Sequence, residues 1–154
     1  MASEIERKFL IKELPPEIDS YPHSDIMQGY LMITDNDDEV RLRKKGGRYY
    51  HTAKSGSGLV RQETEKEITE AEFIEQWTDT EGKRVRKVRY EIQHDELTIE
   101  LDIYSGNLEG LVIAEVEFET EEESYRFKPP EWFDEEVTHD ERYKNRNLAL
   151  HGKP

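Results

Sequence analysis

The chain has 154 residues, of which 22 are Lys or Arg and 36 are Asp or Glu, so its formal net charge is −14 at pH 7. Charged residues make up 38% of the sequence, against about 25% in an average soluble protein, whereas aromatic residues still reach 10%. Because aromatic side chains need a core, we predict a single folded domain over residues 1–154. The absence of cysteine excludes disulfides, thiolate metal sites and cysteine nucleophiles.

Charge and hydropathy also bear on location and partners. The sequence does not begin with an apolar signal region, and no stretch approaches the length of a membrane span. We therefore expect a cytoplasmic protein that does not bind a membrane. The net negative charge repels polyanions, which argues against nucleic acid as a partner.

Alternation of apolar and polar residues with a period of two dominates the sequence and predicts strands. In chain order, the predicted strands are 4–10, 29–33, 39–43, 48–54, 59–68, 83–92, 97–105 and 111–118. Between the third and fourth, Gly46 and Gly47 offer a two-residue hairpin turn. Eight strands in a domain of this size predict an antiparallel barrel or sandwich.

Three helices are predicted, each by a threonine with a glutamate three residues later, which is the pattern of a capping box. They begin at Thr69, Thr120 and Thr138, and the third runs to Leu150 before Gly152. Each helix has an apolar stripe that needs a partner. We expect the helices to cover the apolar face of the sheet.

The charged faces of the predicted strands are sorted by sign. Residues i and i+2 of a strand share a face, and such pairs are both basic on some strands and both acidic on others. The pairs are Arg41 with Arg43, Lys87 with Arg89, Glu63 with Glu65, Glu100 with Asp102, and Glu115 with Glu117. Two bases about 7 Å apart repel by roughly 2 kcal/mol at an effective dielectric of 20, so this arrangement is costly without an anion between them.

Two interpretations of this sorting stay open. The charged faces can be the solvated side of a β-sandwich whose apolar residues lie inside. Alternatively, the sheet closes with its charged face inward and forms a channel with a cationic side and an anionic side. Clustered Arg and Lys hold phosphate oxygens, and clustered carboxylates hold a hard divalent cation such as Mg²⁺ or Mn²⁺. This second interpretation predicts metal-assisted hydrolysis of a phosphoanhydride bond.

The strand motifs occur in an order that resembles a known family. The first strand carries Glu-x-Glu-x-Lys at residues 4–8. Together with the motifs at 28–30, 41–43, 52–54, 63–65, 87–90, 100–102 and 115–117, it makes the whole chain resemble the CYTH, or triphosphate tunnel metalloenzyme, family. The resemblance is strongest to small prokaryotic inorganic triphosphatases. It implies a mainly β (α+β) fold, an eight-stranded antiparallel β-barrel that forms a charged tunnel, with helices packed outside and a C-terminal helix at one end.

The resemblance also implies roles for individual residues. The residues that resemble metal ligands are Glu4, Glu6 and Glu117, with Asp102 and Glu115 as further acidic residues around the metal ions or their waters. The residues that resemble triphosphate-binding bases are Lys8, Arg41, Arg43, Lys54, Lys87 and Arg89, joined by Lys144 from the C-terminal helix. Catalysis is expected from Glu4, Glu6, Lys8 and Lys87, with Mg²⁺ or Mn²⁺ as the cofactor.

The implied activity is hydrolysis of tripolyphosphate, a small-molecule substrate, to pyrophosphate and orthophosphate by a monomer or homodimer. The alternatives are a class IV adenylate cyclase, a thiamine or nucleoside triphosphatase, and a non-catalytic polyphosphate-binding module. If Glu63 and Glu65 join the acids named above, six strand bases and seven acids give the tunnel a net charge of −1 and leave −13 elsewhere. The acidic balance then does not oppose a short triphosphate inside. Tyr30 is assigned to packing and residues 35–39 to a solvated turn.

Overall fold

The computed structural model describes residues 5–36, 38–55 and 62–154, and within them the strands form one antiparallel sheet. The strands are β1 (Ile5–Ile11), β2 (His23–Ile33), β3 (Glu39–Lys45), β4 (Arg48–Ser55), β5 (Gln62–Ile68), β6 (Arg84–His94), β7 (Leu97–Tyr104), β8 (Val112–Phe118) and β9 (Phe133–Glu136). Their order across the sheet is β5-β4-β3-β2-β6-β7-β8-β1-β9. All eight predicted strands are present, although residues 4 and 59–61 of the predicted spans lie outside the described ranges.

The predicted barrel differs from the observed sheet in its closure and in its strand count. Among the described residues, the sheet is not closed: β5 forms one edge and β9 the other. The sequence did not predict β9, because its four residues include one apolar side chain, Phe133, followed by three exposed acids. This strand pairs with β1 at Phe9 and Ile11, on the side of β1 that faces away from β8. It therefore occupies the edge that a closing strand would need.

Two of the three predicted helices begin where their caps predicted. Helix α1 (Glu70–Trp77) has a complete capping box in which the Thr69 hydroxyl accepts from the Glu72 N–H. Helix α2 (Glu121–Arg126) follows Thr120, whose hydroxyl accepts from the Glu123 N–H. No helix in the described part of the chain combines the length and the apolar composition that a membrane crossing requires.

The third helix begins later than predicted. Helix α3 spans Asn145–His151 and ends before Gly152, whose φ of 79° lies in the region that favours glycine. Thr138 does not cap it, because its hydroxyl accepts from the Lys8 N–H at 3.0 Å and donates to Glu136 at 2.6 Å. Thr138 thus attaches the chain after β9 to β1, and Asp140 caps a short 3₁₀ turn before α3.

The helices and the sheet bury apolar side chains on both faces. On the outer face, Phe9, Leu101 and Val116 pack with Phe127 and Phe133. A fully buried side chain of this size stabilises the fold by about 1.5–3 kcal/mol. The outer face therefore forms the main core.

A second apolar cluster lies at one end of the inner face. Leu148 of α3 packs against Val85, Tyr104 and Ile113. These three residues share the face of their strands with Lys87, Asp102 and Glu115, because i and i+2 point the same way. The inner face is therefore apolar at the end that α3 covers and charged beyond it.

Gly29 of β2 lies where α1 and the following 3₁₀ turn approach the sheet. A Cβ at this position would lie 2.6 Å from Thr80 Oγ1 and 2.8 Å from Trp77 Cζ3, and Thr80 is fully buried. We expect Gly29→Ala to lower the free energy of unfolding by about 1–3 kcal/mol, because the turn must shift to make room. Urea denaturation measures this loss. Gly47→Ala is the matched control, since its Cβ would meet no atom within 4 Å, and equal midpoints for the two variants would contradict the prediction.

A charged cavity as the candidate active site

The inner face of the sheet surrounds a cavity of about 370 Å³. Every strand from β1 to β8 contributes at least one lining side chain, and the segment that begins α3 contributes three more. The lining residues are Glu6, Lys8, Gln28, Tyr30, Glu39, Arg41, Arg43, Lys54, Glu63, Lys87, Arg89, Glu100, Glu115, Glu117, Lys144, Asn145 and Arg146. The charged faces of these strands therefore line one shared cavity.

The cavity brings together most of the residues that the sequence analysis selected. All six strand bases line it, as do Lys144, Glu6, Glu115 and Glu117. Glu63 also lines the cavity, whereas Glu65 and Asp102 do not. Glu4 lies outside the described residues.

Arg41 and Arg43 form the most crowded part of the basic side. Arg41 lies 3.7 Å from Glu39, and Arg43 lies 3.7 Å from Glu65. The Nε atom of each arginine is buried and has no hydrogen-bond partner among the described residues. Burial, followed by the charge of Arg41, lowers the pKa of Arg43. Each arginine therefore has a buried N–H donor that a ligand in the cavity could satisfy.

Asp102 lies beneath the cavity and holds two of its bases. Its Oδ2 atom is 2.8 Å from Lys87 Nζ, and Arg89 donates to both carboxylate oxygens at 2.8 and 2.9 Å. Asp102 has no exposed surface and Lys87 has 2%. Burial alone would raise the pKa of Asp102, but Lys87 and Arg89 outweigh it and lower the value.

The position of Asp102 differs from the one expected of an acid around a metal ion. Both of its oxygens are occupied by cations, and it is not among the lining residues. Its neighbour on the same face, Glu100, does line the cavity and accepts from Arg89 at 3.0 Å. Asp102 therefore contacts Lys87 and Arg89 from outside the cavity lining, whereas Glu100 is the acid of β7 that reaches the cavity.

The acidic side is formed mainly by β1 and β8. Glu6 is the register partner of Glu117, and Lys8 is the partner of Glu115, whose carboxylate lies 3.7 Å from Lys8 Nζ. Carboxylates directly opposite each other destabilise a sheet, which favours a cation close by. Among the described residues, however, no three Asp, Glu or His side chains are close enough together to hold a metal ion. The oxygen donors present suit a hard divalent cation.

Several lining residues were not predicted. Gln28 donates to the Tyr30 hydroxyl at 2.7 Å, and burial raises the pKa of Tyr30 to about 12. Tyr30 is buried, in agreement with a packing role, but its hydroxyl also belongs to the cavity. Glu39 was assigned both to the end of a solvated turn and to the start of the predicted strand 39–43. The strand assignment is correct, because Glu39 begins β3 and is 6% exposed. Glu39 lies two residues before Arg41, and this spacing would have placed both side chains on the same face of the strand.

Comparison with known proteins places this site in a family. The CYTH domain model matches residues 2–151. The chain belongs to the CYTH family. This CYTH chain is 46% identical over 150 residues to an inorganic triphosphatase of Nitrosomonas europaea, with 96% of this chain and 97% of that protein covered. It is 39% identical over 156 residues to an inorganic triphosphatase of Acetivibrio thermocellus, with 97% and 94% covered.

Solved structures agree with the sequence comparison. A crystal structure of an inorganic triphosphatase superposes on this CYTH chain with a TM-score of 0.81 at 41% identity, covering 100% of this chain and 99% of the other. The predicted family and its mainly β tunnel-type fold are thereby confirmed. Membership of the CYTH family also implies dependence on a divalent metal ion.

Proposed function

We propose that this protein hydrolyses inorganic tripolyphosphate to pyrophosphate and orthophosphate with the help of a divalent cation. The observation that carries the proposal is the composition of the cavity, in which β3, β4 and β6 supply five of the six strand bases and β1 and β8 supply three carboxylates. Lys8 of β1 and the carboxylates of Glu39, Glu63 and Glu100 also line it. A linear triphosphate is an anion of the size and charge for which such a cavity is suited. The two curated relatives that cover nearly the whole chain are both inorganic triphosphatases.

The basic side would bind the phosphate oxygens. Arg41 and Arg43 bring buried Nε–H groups without a partner among the described residues, and such groups are stabilised by an anionic acceptor. Arg89 is held rigidly by Asp102, so its guanidinium loses little freedom when phosphate binds. Lys54, opposite Glu63 in the register, would extend this side toward β5.

The acidic side would hold the cation. Glu6, Glu115 and Glu117 supply oxygen donors. Glu4, which lies outside the described residues, is proposed as a further ligand. Mg²⁺ and Mn²⁺ are the cations that this oxygen-only donor set suits. When bound, such a cation neutralises phosphate charge and acidifies water.

Two lysines would act at the reacting phosphate. Lys87 is anchored by Asp102, so its ammonium group is already in place for the charge that develops on the phosphoryl oxygens. Lys8 lies between the two sides, 3.7 Å from Glu115, with its Nζ donating to the Tyr143 carbonyl at 3.1 Å. Fixed cations of this kind stabilise a transition state without reorganisation.

The shape of the cavity supports a short substrate and a single functional domain. Leu148 and its apolar neighbours cover one end of the inner face, so at this end the described residues present an apolar surface to a long polyanion. Because the lining residues come from β1 through β8 and from α3, residues 1–154 would act as one unit. Nucleic acid is therefore not an expected ligand.

Phosphate release from tripolyphosphate tests the proposal directly. We expect the purified chain to release orthophosphate and pyrophosphate in the presence of Mg²⁺ or Mn²⁺, and chelation by EDTA to stop the reaction until metal is restored. The measurement includes thiamine triphosphate, ATP and RNA 5′ ends at the same metal concentration. Preference for one of these, or cyclic AMP from ATP, would overturn the substrate assignment. Thermal stabilisation by tripolyphosphate without any product would indicate a binding module instead.

A further inference from the structure

Asn145, the first residue of α3, joins the C-terminal segment to a buried base of the cavity. Its Oδ1 atom accepts from the Tyr104 hydroxyl at 2.7 Å and lies 3.5 Å from Lys87 Nζ. Both neighbours are nearly inaccessible to solvent, with Tyr104 3% exposed and Lys87 2% exposed. Asn145 itself lines the cavity. Neither Asn145 nor Tyr104 had a role predicted from the sequence.

The geometry fixes which atom of the amide faces Lys87. An ammonium group has three donors and no acceptor, so Lys87 requires the amide oxygen rather than the amide nitrogen. Tyr104 donates to the same oxygen, and burial raises the pKa of its hydroxyl, which keeps the proton in place. Tyr104 therefore holds the Asn145 amide in the orientation that Lys87 needs.

Among the described residues, two acceptors contact the Lys87 ammonium group, which has three N–H donors. Asp102 takes one N–H at 2.8 Å from beneath, and the Asn145 oxygen takes another at 3.5 Å from the side of α3. The third N–H remains for a ligand in the cavity that Lys87 lines. The same segment also reaches Lys8 through the Tyr143 carbonyl, two residues before Asn145.

We infer that Asn145 is a positioning residue that, held by Tyr104, orients the Lys87 ammonium toward the reacting phosphate. The inference rests on the proposed function. The C-terminal segment is thus part of the catalytic arrangement as well as the cover of one end of the inner face. A correctly oriented cation contributes most in the transition state, so its loss lowers kcat more than it raises KM.

The test compares a variant that removes the acceptor with one that keeps it. We expect Asn145→Leu, which has nearly the same shape, to lower kcat for tripolyphosphate about tenfold while KM changes by less than about twofold. Asn145→Asp retains an oxygen at this position and is expected to restore kcat to within about threefold of the native value. Asn147→Leu is the matched control, because Asn147 lies in the same helix but donates to the Glu141 carbonyl at 2.7 Å, outside the cavity.

A second readout follows the Lys87 ammonium by NMR in protein labelled with ¹⁵N-lysine. Its protons should exchange slowly with water in the native protein and in Asn145→Asp, and rapidly in Asn145→Leu. Tyr104→Phe tests the same arrangement if Asn145→Leu does not fold, and it should also accelerate exchange.

Unchanged exchange and unchanged kcat in Asn145→Leu or Tyr104→Phe would overturn the inference, as would an equal loss of kcat in Asn147→Leu. If the native protein hydrolyses no tripolyphosphate, the proposed function fails, and the exchange rates alone decide the role of Asn145.

Discussion

Replacing Glu6 by Gln is expected to lower kcat for tripolyphosphate by at least about a thousandfold, because it removes one charge from the acidic side without changing its shape. Glu6 lies opposite Glu117 in the β1–β8 register and lines the cavity. An amide oxygen is a weaker ligand for a hard cation than a carboxylate, so we also expect a higher metal concentration for half-maximal activity. Steady-state phosphate release over a titration with Mg²⁺ measures both quantities.

A matched substitution distinguishes this effect from a general loss of charge. Glu67 of β5 is 56% exposed, pairs with Arg48 on the surface and does not line the cavity. Glu67→Gln removes the same charge and should leave kcat and the metal requirement within about twofold of the native values. If Glu6→Gln behaved like Glu67→Gln, the acidic side would not be the site of the cation.

The strands could be predicted because their inner and outer faces differ so strongly in charge. Alternation with a period of two placed Arg41 with Arg43, and Lys87 with Arg89, on one face of their own strands, and all four line the cavity. The hairpin turn at Gly46 could also be predicted from the sequence. Gly46 has a φ of 59°, which glycine adopts without strain. Patterns of this kind depend only on residues that are close together in the sequence, so they can be recognised without the structure.

Features that depend on distant parts of the chain could not be predicted in the same way. Thr138 has the spacing of a helix cap, but its hydroxyl bonds to β1, which is 130 residues away in sequence. Asp102 and Glu100 share a face of β7, and nothing in the sequence around them says which lies deeper. The depth is set by α3, whose Leu148 covers the end of the inner face next to Tyr104. The position of Asn145 beside Lys87 and Tyr104 could not be predicted either. It depends on where α3 begins, and α3 begins later than the apparent cap at Thr138.

Asp102→Asn is expected to cause the largest loss of stability of any substitution considered for this chain. Removing the charge leaves Lys87 and Arg89 buried without their shared anion, and breaking a buried ion pair from one side costs about 3–5 kcal/mol. For a domain of this size, the melting temperature should fall by roughly 10 °C or more. Urea unfolding at pH 7 measures the free energy directly.

The pH dependence of this loss follows from the direction of the Asp102 pKa. Lys87 and Arg89 lower the folded-state value despite burial, so Asp102 binds protons less readily in the folded protein than in the unfolded chain. Its contribution to stability is therefore complete above the unfolded value of about 4 and is lost as pH falls through the folded value. The stability difference between the native protein and Asp102→Asn should be constant near neutral pH and shrink below about pH 4.

Glu100→Gln provides the control for the predicted loss of stability. Glu100 also bonds to Arg89, at 3.0 Å, but is 33% exposed, so its loss should cost less than about 1 kcal/mol. A positioning role for Asp102 predicts that Asp102→Asn is destabilised in the absence of metal. A role as metal ligand predicts the reverse, which is a folded protein of nearly native stability that needs more metal for activity. If metal-free Asp102→Asn had native stability, the positioning role would be wrong and Asp102 would be assigned as a metal ligand.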